Sequence, residues 1–141
     1  MTLYIYTDGA SRGNPGESAS GYRILDYKDN LLTRRVFYNG VCTNNVAEYK
    51  AIIAALKKAL RMVNEGEAMV LHSDSELVIN QLSGNYKIKD SKLKPLNREV
   101  MLLLKKFSKY ELLSVRRENR HISQVDSELN EFLDEKLQDK V

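Results

Sequence analysis

The chain has 141 residues, 43 % apolar and 29 % charged, with 22 Lys and Arg against 19 Asp and Glu for a net charge of +3. That balance is ordinary for one globular domain over residues 1–141, and it permits a polyanionic partner without requiring one. A single cysteine, Cys42, and only two histidines, His72 and His121, exclude an internal disulfide and a thiolate or histidine-rich metal cage, so any metal is expected on oxygen ligands.

No run approaches the ~20 apolar residues of a membrane span, and the first residues lack a signal-peptide layout, so a cytoplasmic monomer away from membranes is expected. Residues 2–7 alternate and are rich in β-formers, which predicts a first strand. Two more are predicted over 20–27 and 32–39, joined by the turn-forming Lys28-Asp29-Asn30, as an antiparallel meander. Over 45–65 the period changes. Val46, Tyr49, Ile52, Ile53, Leu56, Leu60 and Val63 fall at helical spacing, after the cap candidates Thr43, Asn44 and Asn45 and before Gly66 as a stop. A strand at 69–73 and a short helix at 75–82, ended by Gly84, come next. A helix over 95–106 with Pro95 in its first position, a strand at 111–116 and a helix over 125–138 complete the chain. The order βββαβααβα predicts an α/β fold. It has one five-stranded mixed sheet, the three-strand meander plus two parallel strands, with helices on its faces.

Four acids fall where strands end or helices begin: Asp8, Glu48, Asp74 and Asp126. Each has a local explanation. Asp8 fits a turn, Asp74 or Ser73 a helix cap, Glu48 a capping box with Asn45, and Asp126 the mouth of the last helix. Yet Glu48 also lies beside the buried side of its helix, where a carboxylate needs compensation. Four elements delivering acids to ends that one sheet can bring together match the oxygen ligands of a two-metal phosphoryl-transfer site. Basic residues lie nearby. Lys87, Lys89, Lys92 and Lys94 surround Tyr86, and Arg116, Arg117 and Arg120 precede Asp126.

Tyr6-Thr7-Asp8-Gly9-Ala10-Ser11-Arg12-Gly13-Asn14-Pro15-Gly16 resembles the opening motif of type 1 ribonucleases H. Thr43-Asn44-Asn45-Val46-Ala47-Glu48-Tyr49 resembles the second motif, and Ser73-Asp74-Ser75-Glu76-Leu77-Val78-Ile79-Asn80-Gln81-Leu82 the third. The likeness covers almost the whole chain, in the right order, and is looser around Asp126. It implies the ribonuclease-H-like fold and endonucleolytic hydrolysis of the RNA strand of RNA–DNA hybrids, leaving 5′-phosphate and 3′-hydroxyl ends. It also implies dependence on Mg2+ or Mn2+, two ions per site with substrate bound. By motif, Asp8, Glu48, Asp74 and Asp126 would be the catalytic, metal-binding acids. Gly9, Ser11, Gly13, Asn14, Asn44 and Asn45 would face the RNA, and Thr43 a DNA phosphate. Reading 2′-hydroxyls in a wide, shallow groove suits such a surface.

The chain also departs from the family's pattern. It lacks the long basic protrusion of some members, which leaves room for action on double-stranded RNA. It has no tryptophan, so an aromatic DNA contact falls to a ring such as Tyr86. Residues 117–126 read as a long loop before the last acid. Arg116 stands where many members carry a mobile histidine, and His121, Arg116 or Arg120 are the candidates for that auxiliary role, with Lys87 and Lys89 as auxiliary substrate contacts. His72 reads as a strand residue packed under the site. Two other readings compete, a catalytically weak nucleic-acid-binding module and another nuclease of the ribonuclease-H-like superfamily. Clustered negative charge opposes the first, because it gains a phosphate binder nothing. The asparagine pair and the Gly13-Asn14-Pro15-Gly16 segment oppose the second.

Overall fold

The computed structural model describes residues 1–63 and 67–138. Its elements are β1 (Thr2–Gly13), β2 (Gly16–Leu25), β3 (Leu31–Cys42), α1 (Asn44–Met62), β4 (Ala68–Ser73), α2 (Glu76–Leu82), α3 (Leu93–Leu104), β5 (Lys109–Ser114) and α4 (Arg120–Gln138). The strands form one sheet in the order β3-β2-β1-β4-β5. β1–β2 and β2–β3 are antiparallel, while β1–β4 and β4–β5 are parallel. The element order and the mixed five-stranded sheet are those expected.

Alternation along β1 assigns its side chains to two layers. Leu3 and Ile5 join Ile24, Met69 and Leu71 in the main core, against Tyr49, Ile52 and Leu56 of α1 and Val100 and Leu104 of α3. Tyr6 and Ala10 face the other way, where Ala19 and the α4 residues Val125, Leu129 and Leu133 make a second, smaller core. Asp8 shares that parity. Its partner Gly21 is the place where a Cβ would crowd Val125 and Leu129.

Several boundaries move. β1 does not stop at Thr7, because the glycine-rich segment pairs with β2 from Asp8↔Gly21 to Gly13↔Gly16 and closes a hairpin through a cis Asn14–Pro15 bond. Thr43 alone caps α1, its Oγ1 accepting from the Val46 amide at 3.3 Å. Asn44 and Asn45 are therefore free of capping duty, and Glu48 lies too deep for a capping box. Ser75, rather than Ser73 or Asp74, caps α2 by accepting from the Val78 amide at 3.2 Å. α3 begins at Leu93, so Pro95 is its third residue. Gly66, the expected stop of α1, lies outside the described residues. α4 begins five residues before the expected 125, because Asn119 caps it, its Oδ1 accepting from the His121 and Ile122 amides at 3.0 and 3.2 Å. Asp126 is thus two turns inside a helix, and the long loop expected over 117–126 shrinks to residues 115–119.

Candidate active site

The last β1–β4 pair is Tyr6↔His72, so beyond it β1 has an open edge, and Asp8 lies there with Asp74 just past the end of β4. Glu48 reaches the same place from α1 because the helix presses on Gly9. A Cβ at Gly9 would collide with the Ala47 backbone and stand 2.5 Å from the Glu48 nitrogen, so only glycine permits this approach. One oxygen each from Asp8, Glu48 and Asp74 lies within 4.8 Å of the others. Asp126 stands outside that tight trio but lines the same cavity, of about 680 Å³.

Burial first, and then the Asp74 charge, pushes the Asp8 carboxyl up to about 8, with Asp126 adding to the rise. Burial, then Asp8 and Asp74, holds Glu48 well above the ordinary carboxylate range. Asp74 is raised chiefly by burial, against the Arg117 guanidinium, whose Nε is 3.9 Å from Asp74 Oδ2. Glu48 Oε2 is buried with no hydrogen-bond partner. An orphaned buried acceptor costs about 1–3 kcal/mol, and three crowded carboxylates repel one another. A hard divalent cation relieves both penalties at once, so this donor set fits one.

The structure gathers some of the residues expected around the acids and not others. Gly9, Ser11, Asn44 and Asn45 line the cavity. Asn44 Oδ1 accepts from the Ser11 amide at 2.9 Å, and Asn14 Oδ1 accepts from the Asn44 amide at 3.1 Å, so both carboxamides are held by their oxygens with the NH2 groups left to donate. Thr43 opens instead on a neighbouring groove with Pro15, Val41 and Lys92. Gly13 turns the hairpin with φ 109°. Lys87 and Lys89 are exposed, away from the cavity lining.

The auxiliary candidates are held apart from the cavity to different degrees. His121 Nε2 lies 2.7 Å from Asp29 Oδ1, and Arg120 pairs with the same aspartate. His121 also packs its ring against Tyr6, centroids 4.6 Å apart, so neither residue lines the cavity. Arg116 lies in the adjoining groove beyond Asp74, and it is Arg117 that lines both this groove and the cavity. His72 is packed beneath as expected, stacked on Tyr6 at 4.1 Å, with Nδ1 2.9 Å from the Ile5 carbonyl oxygen. Sequence reasoning passed over Arg117, Arg12 and Asn130 as site residues. Two had a legible signal, since Arg12 shares the β1 parity of Asp8 and Asn130 stands one helical turn after Asp126. Choosing between Arg116 and Arg117 needed the end of β5 to the residue.

The whole fold has known counterparts. The model of the RNase H family matches residues 1–138. Ribonuclease HI of Halobacterium salinarum is 34 % identical over 133 residues, 94 % of this chain and 65 % of that protein. The RNase H1 crystal structure from that organism superposes with a TM-score of 0.89 over 96 % of this chain and 99 % of the other. LC11-RNase H1, solved in complex with an RNA/DNA hybrid, is 34 % identical with a TM-score of 0.87, over 96 % of this chain and 99 % of that one. The bifunctional protein Rv2228c of Mycobacterium tuberculosis is 38 % identical over 109 residues, 76 % of this chain but 29 % of its own length. With the acids of three motifs converging as that likeness requires, the chain belongs to the RNase H family.

Proposed function

We propose that the protein hydrolyses the RNA strand of RNA–DNA hybrids endonucleolytically, with Mg2+ or Mn2+ held by Asp8, Glu48 and Asp74, and with Asp126 completing the site. The observation that carries this reading is the trio of carboxylate oxygens within 4.8 Å, one contributor being Glu48 with a buried, unpartnered Oε2. Divalent ions held by Asp8, Glu48 and Asp74 would make an attacking water more acidic and offset charge on the leaving oxygen, chemistry that would leave a 5′-phosphate and a 3′-hydroxyl. The chain's own groups do the rest. Asn14 and Asn44 keep amide donors available for RNA, and Asn44, Asn45 and Ser11 line the cavity. Such donors are suited to 2′-hydroxyl contacts, which distinguish RNA from DNA. Arg117 brings an exposed guanidinium beside Asp74, suited to a phosphate as it arrives or leaves. The solved complex of LC11-RNase H1 with an RNA/DNA hybrid supports the same substrate class here.

The test uses labelled RNA–DNA hybrid, double-stranded RNA and single-stranded RNA, each with Mg2+, Mn2+ or chelator. Expected are 5′-phosphorylated RNA fragments from the hybrid, with either metal and none with chelator. Hybrid that is bound but left intact in both metals would instead mark a binding module, and cleavage in chelator would remove the metal from the reading.

A further inference from the structure

We propose that Arg12 is a positioning residue, tying the substrate-reading hairpin to the helix that carries Asp126; this rests on the hybrid-cleavage reading above. Arg12 Nη2 lies 3.1 Å from the Asn130 backbone oxygen, 3.2 Å from Asn130 Oδ1 and 2.7 Å from Asp134 Oδ1. Asn130 in turn donates its Nδ2 to the Asp126 backbone oxygen at 2.9 Å. One run of contacts therefore passes from β1 to the backbone of the fourth acid, and Arg12, Asn130 and Asp126 all line the cavity.

The hairpin has a matching tie on its other side. The Ser11 amide donates to Asn44 Oδ1, and Asn14 accepts from the Asn44 amide, so residues 11–14 are fastened to α1, which carries Glu48. Both helices that deliver acids are thus referenced to one short piece of strand. α4 has the greater need of it. Its buried apolar contact rests on Val125, Leu129 and Leu133 over Ala19, with Ile122 buried at its start, a small core beside that on the opposite face.

Arg12 is poorly placed to grip a phosphate. Its Nη2 is already committed at 2.7 Å to Asp134 and by two hydrogen bonds to Asn130, and its side chain is 33 % exposed, whereas Arg117 is 78 % exposed and stands at 3.9 Å from Asp74. Asp134 is 61 % exposed, and such an ion pair contributes little to stability. Its consequence is geometric, the distance at which Asp126 approaches Asp8.

The experiment measures kcat and KM on the hybrid, across a salt series with Mg2+, for Arg12→Ala, Asn130→Ala and each of these combined with Asp126→Asn. Arg12→Ala should lower kcat by about 10- to 100-fold through misplacement alone, with KM and the salt dependence unchanged. It should cost nothing further in the Asp126→Asn background, because changes acting through one residue do not add. A raised KM with a shallower salt slope would mean a phosphate contact and overturn the proposal. So would an equal loss in both backgrounds. Amide hydrogen exchange at residues 126–130 supplies a readout that needs no turnover, and it should quicken in Arg12→Ala; unchanged exchange also overturns the proposal. Wild-type protein that leaves the hybrid intact would sink the functional reading, and the exchange result would still decide the role of Arg12.

Discussion

Asp8 gathers the opposing demands of the site on one side chain. Burial and the neighbouring acids make its charge costly, yet the proposed chemistry needs it ionised on a cation. Asp8→Asn keeps the shape and removes the charge. Hybrid cleavage should fall below detection, while the melting midpoint in chelator should rise, by about 4 °C for each kcal/mol of repulsion relieved. Near wild-type turnover in this variant would remove Asp8 from the metal site. Arg117 offers a second test at this scale. Because it lines the cavity and Arg116 lies in the adjoining groove, Arg117→Ala should slow hybrid turnover several-fold more than Arg116→Ala. The reverse order would return the auxiliary role to Arg116. Gly9→Ala should fail differently, by forcing α1 off β1 at Ala47, which overpacking costs put at about 1–3 kcal/mol or more.

Among the elements, α4 shows best what the sequence could and could not reveal. A final helix was expected over 125–138, and the observed helix buries Ile122, Val125, Leu129 and Leu133 along one stripe. Its start was missed although Ile122, three residues before Val125, already continues the stripe, because Asn119 is visible as a cap only once its amide partners are known. The same holds for β1. Glycines 9 and 13 read as a loop because glycine weakens a strand, but here small residues are required by the close approach of α1 and by the hairpin turn. The three motif acids were legible because each adjoins a change of period. Asp126 lines the cavity but was expected at a helix mouth, when it lies two turns inside. That depth makes its position depend on how α4 is seated. Leu129→Ala should therefore cost about 2–5 kcal/mol by cavity formation, measured by urea denaturation. It should also lower kcat more than Leu104→Ala, a change of equal chemistry in the opposite core. Equal kinetic effects from the two would separate α4 packing from the site.

At the scale of the whole molecule, the site imposes a pH dependence on the metal-free fold that runs opposite to the ordinary one. Asp8, Glu48 and Asp74 all have native values raised above the unfolded ones. Between the unfolded value of about 3.9 for aspartate and about 8 for native Asp8, these carboxyls therefore hold more protons in the native state than in the unfolded chain. Stability then falls as pH rises through that window. His72 opposes this. Burial lowers its native value, so the contribution it makes is present above its unfolded value of about 6.5 and is lost as the solution is acidified. Asp26 and Asp29, lowered by hydrogen bonds from Asn30 and His121, lose their contribution only at more acid pH, below the window. The Asp8 share is isolated by difference. In chelator, the stability of Asp8→Asn relative to wild type should grow steadily from pH 4 towards pH 8 and level off above it. Adding Mg2+ or Mn2+ should stabilise the wild type in proportion to RT ln(1 + [L]/Kd), more strongly at high pH, where the ligand oxygens release their protons to the solvent. Asp8→Asn should show little of that gain. A difference independent of pH, or an equal metal response in both proteins, would show that these carboxylates neither crowd one another in solution nor hold the ion.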